Sequence, residues 1–345
     1  GAGIRFSVHR YHTDVNRGKR SILLDLKTEA GREVFWRLVG SADVFHNNMR
    51  GGVLERLGIT FERLQQVNPR CILSSATGWG HLGPDREAGS MDVLAQARGG
   101  FMSVTGEGED GPPVMAGFPQ ADHVGAIVSG YGIVLALLHR ERTGEGQHID
   151  LAMADVMFGL QDQFAQYELS GHRWRPGRNA RHHTMYCPVG TYDLPEGYGY
   201  LLILERQWAN LCRAMGRPEL IDDPRYATGA ARVRHQDEVV PMVQAWLLSF
   251  PDNATLLAHC LVHRVPIGEV FDPTEAVGHP HFEARAMVRR VPDPVLGQVT
   301  VAGYPFKFSA QPDLPEIQAP VLGEHNRQVR ESGVGELLEE RDSRR

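Results

Sequence analysis

Residues 28–48, TEAGREVFWRLVGSADVFHNN, join an amphipathic helix to a short apolar strand, and this pairing indicates the fold class. Apolar residues recur at helical spacing over 28–39, and Thr28 is a suitable N-cap with acidic residues close behind it. Residues 42–48 then have the short apolar pattern of a strand. The stretch therefore predicts one helix–strand unit.

The same alternation continues on both sides of this stretch. Short apolar segments predict further strands over 21–26, 70–76 and 147–151, and amphipathic spacing predicts a helix over 53–67. A long stretch with few charges predicts a long buried helix over 121–142. Strands that alternate with helices are typical of an α/β protein with a parallel, doubly wound sheet.

The composition along the chain divides it into parts. We expect a large domain, a polar and basic linker, a small α/β domain and a C-terminal return to the large domain, over residues 1–170, 171–187, 188–285 and 286–345 respectively. Within the small domain, the pattern predicts a hairpin over 191–204 and helices over 207–215 and 239–248.

The overall composition is that of an ordinary globular protein. The chain has 345 residues, of which 42% are hydrophobic and 23% charged, with a formal net charge of -6. This charge gives no basic footprint for a nucleic-acid partner. The four cysteines are far apart, which argues against a disulfide framework and favours a cytoplasmic location. No apolar run is long enough to predict a membrane partner or a signal peptide.

Several short segments, spread over nearly the whole chain, carry a family resemblance through their order and spacing. They include NRGKRSI (16–22), GVLERLG (52–58), DGPP (110–113), RERTGEGQ (140–147) and PVLGEH (320–325). Together they resemble the class III CoA-transferases of the CaiB/BaiF family, whose relatives include formyl-CoA transferases and α-methylacyl-CoA racemases.

The resemblance implies an enzyme that moves CoA from an acyl-CoA donor to a carboxylic acid through an aspartyl covalent intermediate. It implies no metal and no permanently bound cofactor, since coenzyme A travels as part of the substrate. It also implies two copies of the chain interlocked as a homodimer. A racemase or epimerase, and a non-catalytic subunit of a heteromeric transferase, are the alternatives.

The chain departs from the family pattern at its start. Family members carry a strand and a helix before the NRGKRSI segment, and these contribute to the nucleotide-binding sheet and the CoA site. The sequence given starts after that unit. We therefore expect the isolated chain to bind CoA weakly unless those contacts come from elsewhere.

Asp122 is the predicted catalytic residue. It lies 12 residues after Asp110, in the segment FPQADH, where the family resemblance places the nucleophilic aspartate. A carboxylate can hold first an acyl group and then CoA itself. At the start of a helix, the dipole and free N–H groups are expected to keep it ionised. The alternative is that Asp122 only caps the helix.

Two further carboxylates, Asp92 and Glu205, are predicted to support the site. Racemases of the family use a histidine where this chain has Met91, and methionine cannot move a proton, which argues against the racemase alternative. Glu205 matches a glutamate that supports that histidine, and alternatively is a charged residue at the end of a strand. His123 is expected to point away from the site, because adjacent helical residues diverge by about 100°.

Six residues are predicted by the resemblance to bind CoA: Leu24, Lys27, Asn48, Met49, Arg56 and Leu57. Cations suit the phosphates, and apolar groups suit adenine and pantetheine. Surface solvation is the alternative for the two cations, and Met49 replaces an aromatic residue of the family.

Two other patterns are candidate binding sites. His259 and His263 lie one helical turn apart, but the sequence supplies neither the glutamate of a zinc-protease motif nor a third ligand, so no metal is expected. The basic stretch 173–183 is typical of an exposed linker, with contact to CoA phosphates or to the acceptor acid as the alternative.

Overall fold

The structure is a computed structural model that describes residues 11–108, 110–161, 167–172, 177–178, 180–311 and 318–331. The helices are α1 Glu29–Ser41, α2 Val53–Arg56, α3 Phe61–Val67, α4 Asp92–Arg98, α5 Gln120–Thr143, α6 Met153–Gly159, α7 Trp208–Ala214, α8 Gly229–Arg234, α9 Gln236–Leu247, α10 Asn253–His263, α11 Pro273–Gly278, α12 Pro280–Ala284 and α13 Asn326–Glu331. The strands are β1 Val44–Asn47, β2 Ile72–Thr77, β3 His148–Ala152, β4 Val189–Asp193, β5 Tyr198–Leu202, β6 Ile267–Glu269, β7 Val288–Asp293 and β8 Gly297–Ala302.

The first half of the chain builds a parallel sheet with strand order β1-β2-β3. Val44 pairs with Ile72, and Leu73 pairs with His148. Because parallel neighbours need crossover connections, helices lie between these strands in sequence. The structure is therefore a mixed α/β protein with a parallel sheet, which confirms the strands predicted over 42–48, 70–76 and 147–151.

Helix α1 forms where the sequence predicts it, over 28–39 with two further residues at its end. Thr28 caps it by accepting a hydrogen bond from the backbone N–H of Gly31 at 3.1 Å. Its apolar stripe buries Phe35 and Val39 in a hydrophobic core that also contains Leu64 of α3 and Leu73 of β2. This cluster is called the first core.

The predicted strand over 21–26 is wrong. The backbone groups of this segment bond to the C-terminal tail: the N–H of His325 donates to the carbonyl of Ser21 at 2.9 Å, and the N–H of Leu23 donates to Asn326 Oδ1 at 2.7 Å. Because these backbone groups have partners outside any ladder, the apolar segment lies in irregular structure.

The predicted helix over 53–67 is two short helices, α2 and α3. Gly58 has φ +69°, a left-handed conformation that stops the first helix. Thr60 then starts the second by accepting a hydrogen bond from the N–H of Arg63 at 3.3 Å. Local turn chemistry therefore interrupts a continuous apolar pattern.

Helix α5 has the length that the sequence predicts and ends at Gly144, which has φ +82°. The prediction that it is buried is wrong for the single chain. Its inward face carries mostly small residues, Ala121, Gly125, Ser129, Ala136 and Arg140. Its outward face is apolar and exposed, at Ile127, Tyr131, Val134 and Leu138.

Among the described residues, α5 is also the one helix that is long and apolar enough to cross a membrane. In its most apolar stretch, 22% of the residues are buried.

The second half of the chain builds an antiparallel sheet with order β4-β5-β6. The hairpin predicted over 191–204 is confirmed, because β4 and β5 pair around a turn at Gly197 with φ +76°. Helices α7, α9 and α10 pack on this sheet, and fully buried side chains such as Tyr192, Leu211 and Val243 fill the space between them.

The C-terminal tail forms the hairpin β7–β8 and contacts the start of the chain. Thr13 donates a hydrogen bond to Asp293 Oδ2 at 2.7 Å, and the N–H of Gly18 donates to the carbonyl of Gln318 at 3.0 Å. The basic stretch 173–183 lies partly outside the described residues. The division into domains stays a prediction.

Candidate active site

Two helix starts that are distant in sequence meet at Asp92 and Asp122. Asp92 opens α4, and its Oδ1 accepts hydrogen bonds from the backbone N–H of Ala121 at 2.6 Å and of Asp122 at 3.0 Å. Only 8% of Asp92 is exposed. Two predicted site residues are therefore adjacent, and the Asp92 carboxylate supplies the cap of α5.

The capping role proposed as the alternative for Asp122 is wrong. Pro119 occupies the N-cap position of α5 without a side-chain hydrogen bond, and Asp92 satisfies the first N–H groups. Asp122 lies in the first turn of the helix with an exposed side chain. Within the described part of the chain, its carboxylate accepts no hydrogen bond, so both of its oxygens are available to a substrate.

The electrostatic setting of Asp122 differs from the sequence expectation. Partial burial of its carboxyl and the nearby charge of Asp92 raise the pKa of Asp122 above its ordinary value, and His123 lowers that pKa to a smaller extent. The helix start does not offset this shift, because the N–H groups of Ala121 and Asp122 already donate to Asp92. Burial and the Asp92 charge therefore outweigh any lowering of the pKa of Asp122 by the helix start.

Gln96 completes the cluster and was missed in the sequence analysis. Its Nε2 donates to Asp92 Oδ2 at 2.6 Å, and its Oε1 accepts from the backbone N–H of Ala116 at 3.1 Å. Gln96 is fully buried. The available signal is the spacing of four residues between Asp92 and Gln96, which puts both on one face of α4.

Apolar side chains adjoin the cluster in sequence and are exposed. Met91 precedes Asp92 and is 72% exposed, while Met115 and Phe118 lie just before α5. The His123 ring lies 5.8 Å from the ring of Phe118. The sequence neighbours of Asp92 and Asp122 are therefore exposed apolar side chains.

Glu205 lies in the second half of the fold, in a short 3-10 helix over Glu205–Gln207. Its Oε2 accepts from the N–H of Gly229 and from Nη2 of Arg232, both at 2.8 Å. Arg232 is 1% exposed and stacks on Trp208, with 4.7 Å from its guanidinium carbon to the ring centroid. No hydrogen bond or ion pair between described residues joins Glu205 to Asp92 or Asp122.

The predicted CoA-binding residues belong to the half of the chain that builds the parallel sheet. Asn48 and Met49 follow the carboxyl end of β1, where open α/β sheets bind ligands. The exposed guanidinium of Arg56 folds back over the turn at Gly52, where an added Cβ would lie 2.8 Å from Arg56 Nη1. Leu57 is the C-cap residue of the same short helix and is half-buried against the first core.

Leu24 and Lys27 belong to the irregular segment that leads into α1. Leu24 lines a cavity of about 340 Å³ together with Asp25, Thr28, Val34 and Asn326. Lys27 lies in sequence between the lining residues Asp25 and Thr28, and its side chain is exposed. The structure thus leaves the cationic members of the predicted set on the surface and half-buries its leucines.

The two histidines of α10 pack against each other, and among the described residues no third metal-ligating side chain joins them. The His259 and His263 rings lie 4.5 Å apart, and Nε2 of His259 is hydrogen-bonded to the carbonyl of Ala214 at 2.9 Å. Across the described ranges, no group of three or more histidine, cysteine, aspartate or glutamate side chains is arranged to hold a metal ion.

Comparison with known proteins identifies the family. The model of CoA-transferase family III matches residues 6–326. The chain belongs to this family. It is 36% identical over 333 residues to the succinyl-CoA:mesaconate CoA-transferase of Haloarcula hispanica. The aligned region covers 94% of this chain and 82% of the relative. It is 34% identical over 346 residues to the formyl-CoA:oxalate CoA-transferase of Streptomyces avermitilis, with coverage of 95% and 82%.

A solved structure supports the same assignment. The CaiB/BaiF family protein of Brucella suis superposes with a TM-score of 0.79 and 34% identity, over 93% of this chain and 83% of that one. The class III CoA-transferase prediction is therefore confirmed, and the protein is an enzyme that acts on a CoA thioester. The family is one of soluble enzymes, so the apolar composition of α5 does not by itself indicate a membrane span.

Proposed function

We propose that this CoA-transferase uses Asp122 as its covalent nucleophile, with Asp92 as the supporting carboxylate. The observation that carries the proposal is the pair of hydrogen bonds from the start of α5 to Asp92, which fixes Asp122 beside a buried charge and leaves its own carboxylate unengaged among the described residues. Glu205 stays a prediction as a supporting residue.

The first half-reaction transfers CoA to the enzyme. A carboxylate oxygen of Asp122 attacks the thioester carbonyl carbon, the C–S bond breaks, and CoA leaves as a thiolate while a mixed anhydride forms. The thiolate then attacks the Asp122 carbonyl carbon, and the donor acid leaves as a free carboxylate. The product is an aspartyl-CoA thioester.

The second half-reaction runs the same chemistry with the acceptor. The acceptor carboxylate attacks the aspartyl-CoA thioester and releases CoA thiolate, which then attacks the acceptor acyl carbon of the new anhydride. This forms the product thioester and regenerates the Asp122 carboxylate. No step moves a proton, which agrees with Met91 at the position where the racemase alternative requires an acid or base.

The electrostatics of the pair favour this role. Partial burial of the Asp122 carboxyl and the nearby charge of Asp92 raise the pKa of Asp122. A more basic carboxylate is a stronger nucleophile once it is ionised. The Asp92 charge therefore contributes to reactivity as well as to the geometry of α5.

The CoA part of the substrate is proposed to bind along the carboxyl end of the parallel sheet. Leu24 and Leu57 offer apolar contacts, Lys27 and Arg56 offer cations for the phosphates, and the remaining contacts come from Asn48 and Met49. The exposure of both cations and the cavity beside Leu24 support this placement.

The functional unit is proposed to be an interlocked homodimer whose large domains are doubly wound, located in the cytoplasm and without nucleic-acid or membrane partners. The apolar, exposed face of α5 supports the dimer, because such a surface on a soluble enzyme favours burial against a second chain. A different partner chain, as in a heteromeric transferase, is the competing arrangement.

The substrate acids are tested with a panel. The relatives act on succinyl-CoA with mesaconate and on formyl-CoA with oxalate. We propose small acids of this kind as substrates. Each acyl-CoA is incubated with each acid, and new CoA thioesters are scored by mass spectrometry. If no donor–acceptor pair yields a new thioester while the folded protein binds acyl-CoA, the proposed transfer function is wrong for this chain.

A further inference from the structure

We infer that Gln96 is a positioning residue for the transfer reaction. It fixes the Asp92 carboxylate, and through Asp92 it fixes the first turn of α5 that carries Asp122. The inference rests on the proposed role of Asp122 as the nucleophile. It adds a residue that touches neither the substrate nor the reacting atoms.

The geometry gives Gln96 two partners on two different segments. Its amide N–H donates to Asp92 Oδ2 on α4, and its carbonyl accepts from the N–H of Ala116 in the segment that leads into α5. An amide presents a donor and an acceptor in one rigid plane, whereas an apolar side chain of the same size offers neither. Gln96 therefore joins α4 to the approach of α5 through one fully buried group.

The second step runs through the two oxygens of Asp92. Oδ1 accepts from Ala121 and Asp122 at the start of α5, while Oδ2 accepts from Gln96. Removing Gln96 would leave Oδ2 buried without a partner, and a buried charged atom without a partner is strongly disfavoured. The carboxylate would then rotate or shift, and the first turn of α5 would move with it. A displacement of about 1 Å at a reacting group can lower a rate by about 100-fold.

The neutral character of Gln96 matters as well. A lysine or arginine at this position would pair with Asp92 and cancel its charge. A glutamine holds the carboxylate and leaves the charge beside Asp122 in place. The two hydrogen bonds from the α5 backbone also come from neutral donors, so none of these three hydrogen bonds cancels the charge of Asp92.

The main test is Gln96→Met, which keeps the length of the side chain and removes both hydrogen bonds. With the most active donor–acceptor pair of the panel, we expect kcat to fall by about 10- to 100-fold and KM for acyl-CoA to stay within about threefold. The rate at which the peptide containing Asp122 gains an acyl or CoA adduct, followed by mass spectrometry, should fall by the same factor as kcat.

The matched control is Gln244→Met in the second half of the fold. Gln244 also makes two hydrogen bonds, accepting from the N–H of Asp193 at 3.0 Å and donating to its carbonyl at 2.8 Å. The loss of two hydrogen bonds should lower the melting temperature of both variants. Only Gln96→Met should change kcat per folded molecule.

A conservative replacement, Gln96→Glu, tests positioning by pH. In its neutral acid form, glutamic acid can donate to Asp92 and accept from Ala116, as glutamine does. When it ionises, it repels Asp92. Relative to wild type at each pH, we expect turnover per folded molecule to recover as the pH falls, with the folded fraction measured by circular dichroism. A merely structural role would change the folded fraction and leave this ratio flat.

The outcomes separate the two proposals. Gln96→Met with wild-type kcat and adduct rate, or a loss of equal size in Gln244→Met, would overturn the role of Gln96. Asp122→Asn is measured alongside. If it retains turnover, the nucleophile assignment fails. If it is inactive while Gln96→Met is normal, only the inference about Gln96 fails.

Discussion

Asp92 accepts the backbone N–H of Asp122 at 3.0 Å, so the carboxylate that opens one helix holds the start of another. The same oxygen also accepts the N–H of Ala121. This arrangement binds the predicted nucleophile through its backbone and keeps its side chain available. It also places a second negative charge near that side chain. Burial is the larger cause of the raised pKa of Asp122, and this charge raises the pKa further.

Asp122→Asn should keep the fold and lose transfer activity by about three orders of magnitude or more, because the amide cannot form the anhydride. Wild-type protein incubated with an acyl-CoA should carry an acyl or CoA adduct on the peptide that contains Asp122, and hydroxylamine should convert it to a hydroxamate. An adduct that maps to Asp92 or Glu205 would contradict the assignment.

The same variant should be slightly more stable than wild type at neutral pH. The folded state raises the pKa of Asp122, so ionising this group favours the unfolded state, and asparagine removes that penalty. We expect a melting temperature higher by about 1–3 °C at pH 7. The difference should shrink as the pH falls through the raised pKa of the folded state, and it should vanish below the ordinary aspartate pKa of about 4, where Asp122 is protonated in both states. A difference that grows on acidification would reverse the sign argued here.

Asp92→Asn should cost less activity than Asp122→Asn, because asparagine can still accept from the α5 backbone while its charge is lost. Removal of that charge should lower the pKa of Asp122 toward its ordinary value. The acid limb of the kcat profile should therefore move to lower pH. An acid limb that stays in place would show that the Asp92 charge does not act on Asp122.

Glu205→Gln separates a structural role from a supporting role in the site. Glutamine can still accept from Gly229, but it leaves the buried Arg232 without its anionic partner. Since Glu205 itself is 63% exposed, we expect a modest loss of about 1 kcal/mol in the free energy of unfolding. Chemical denaturation measures this loss. A large fall in kcat per folded molecule with unchanged stability would instead place Glu205 in the site.

The exposed face of α5 should lie at the interface between two chains. Light scattering at micromolar concentration should give the mass of a dimer that persists on dilution. Ile127→Glu and Tyr131→Glu put charges on this face and should lower the yield of folded dimer, whereas a similar change at the exposed Leu261 of α10 should not. A monomeric, active wild-type protein would contradict the interlocked arrangement.

Part of the fold follows from local sequence. Thr28 and the apolar spacing after it specify α1, and Gly144 specifies the end of α5, because caps and helical periodicity depend on neighbours a few residues away. The order and spacing of the segments that resemble the family also indicated the CoA-transferase activity and pointed to Asp122, Asp92 and Glu205.

Tertiary structure decided the rest. The apolar segment 21–26 hydrogen-bonds to the C-terminal tail and does not join a sheet. The spacing of Gln96 from Asp92 places both on one face of α4, but the contact of Gln96 with Ala116 depends on the packing of two segments. Asp92 and Asp122 are 30 residues apart, and their contact depends on how two helices pack. The direction of the Asp122 pKa shift follows from that packing. Only folding buries the carboxyl of Asp122 and brings the charge of Asp92 close to it.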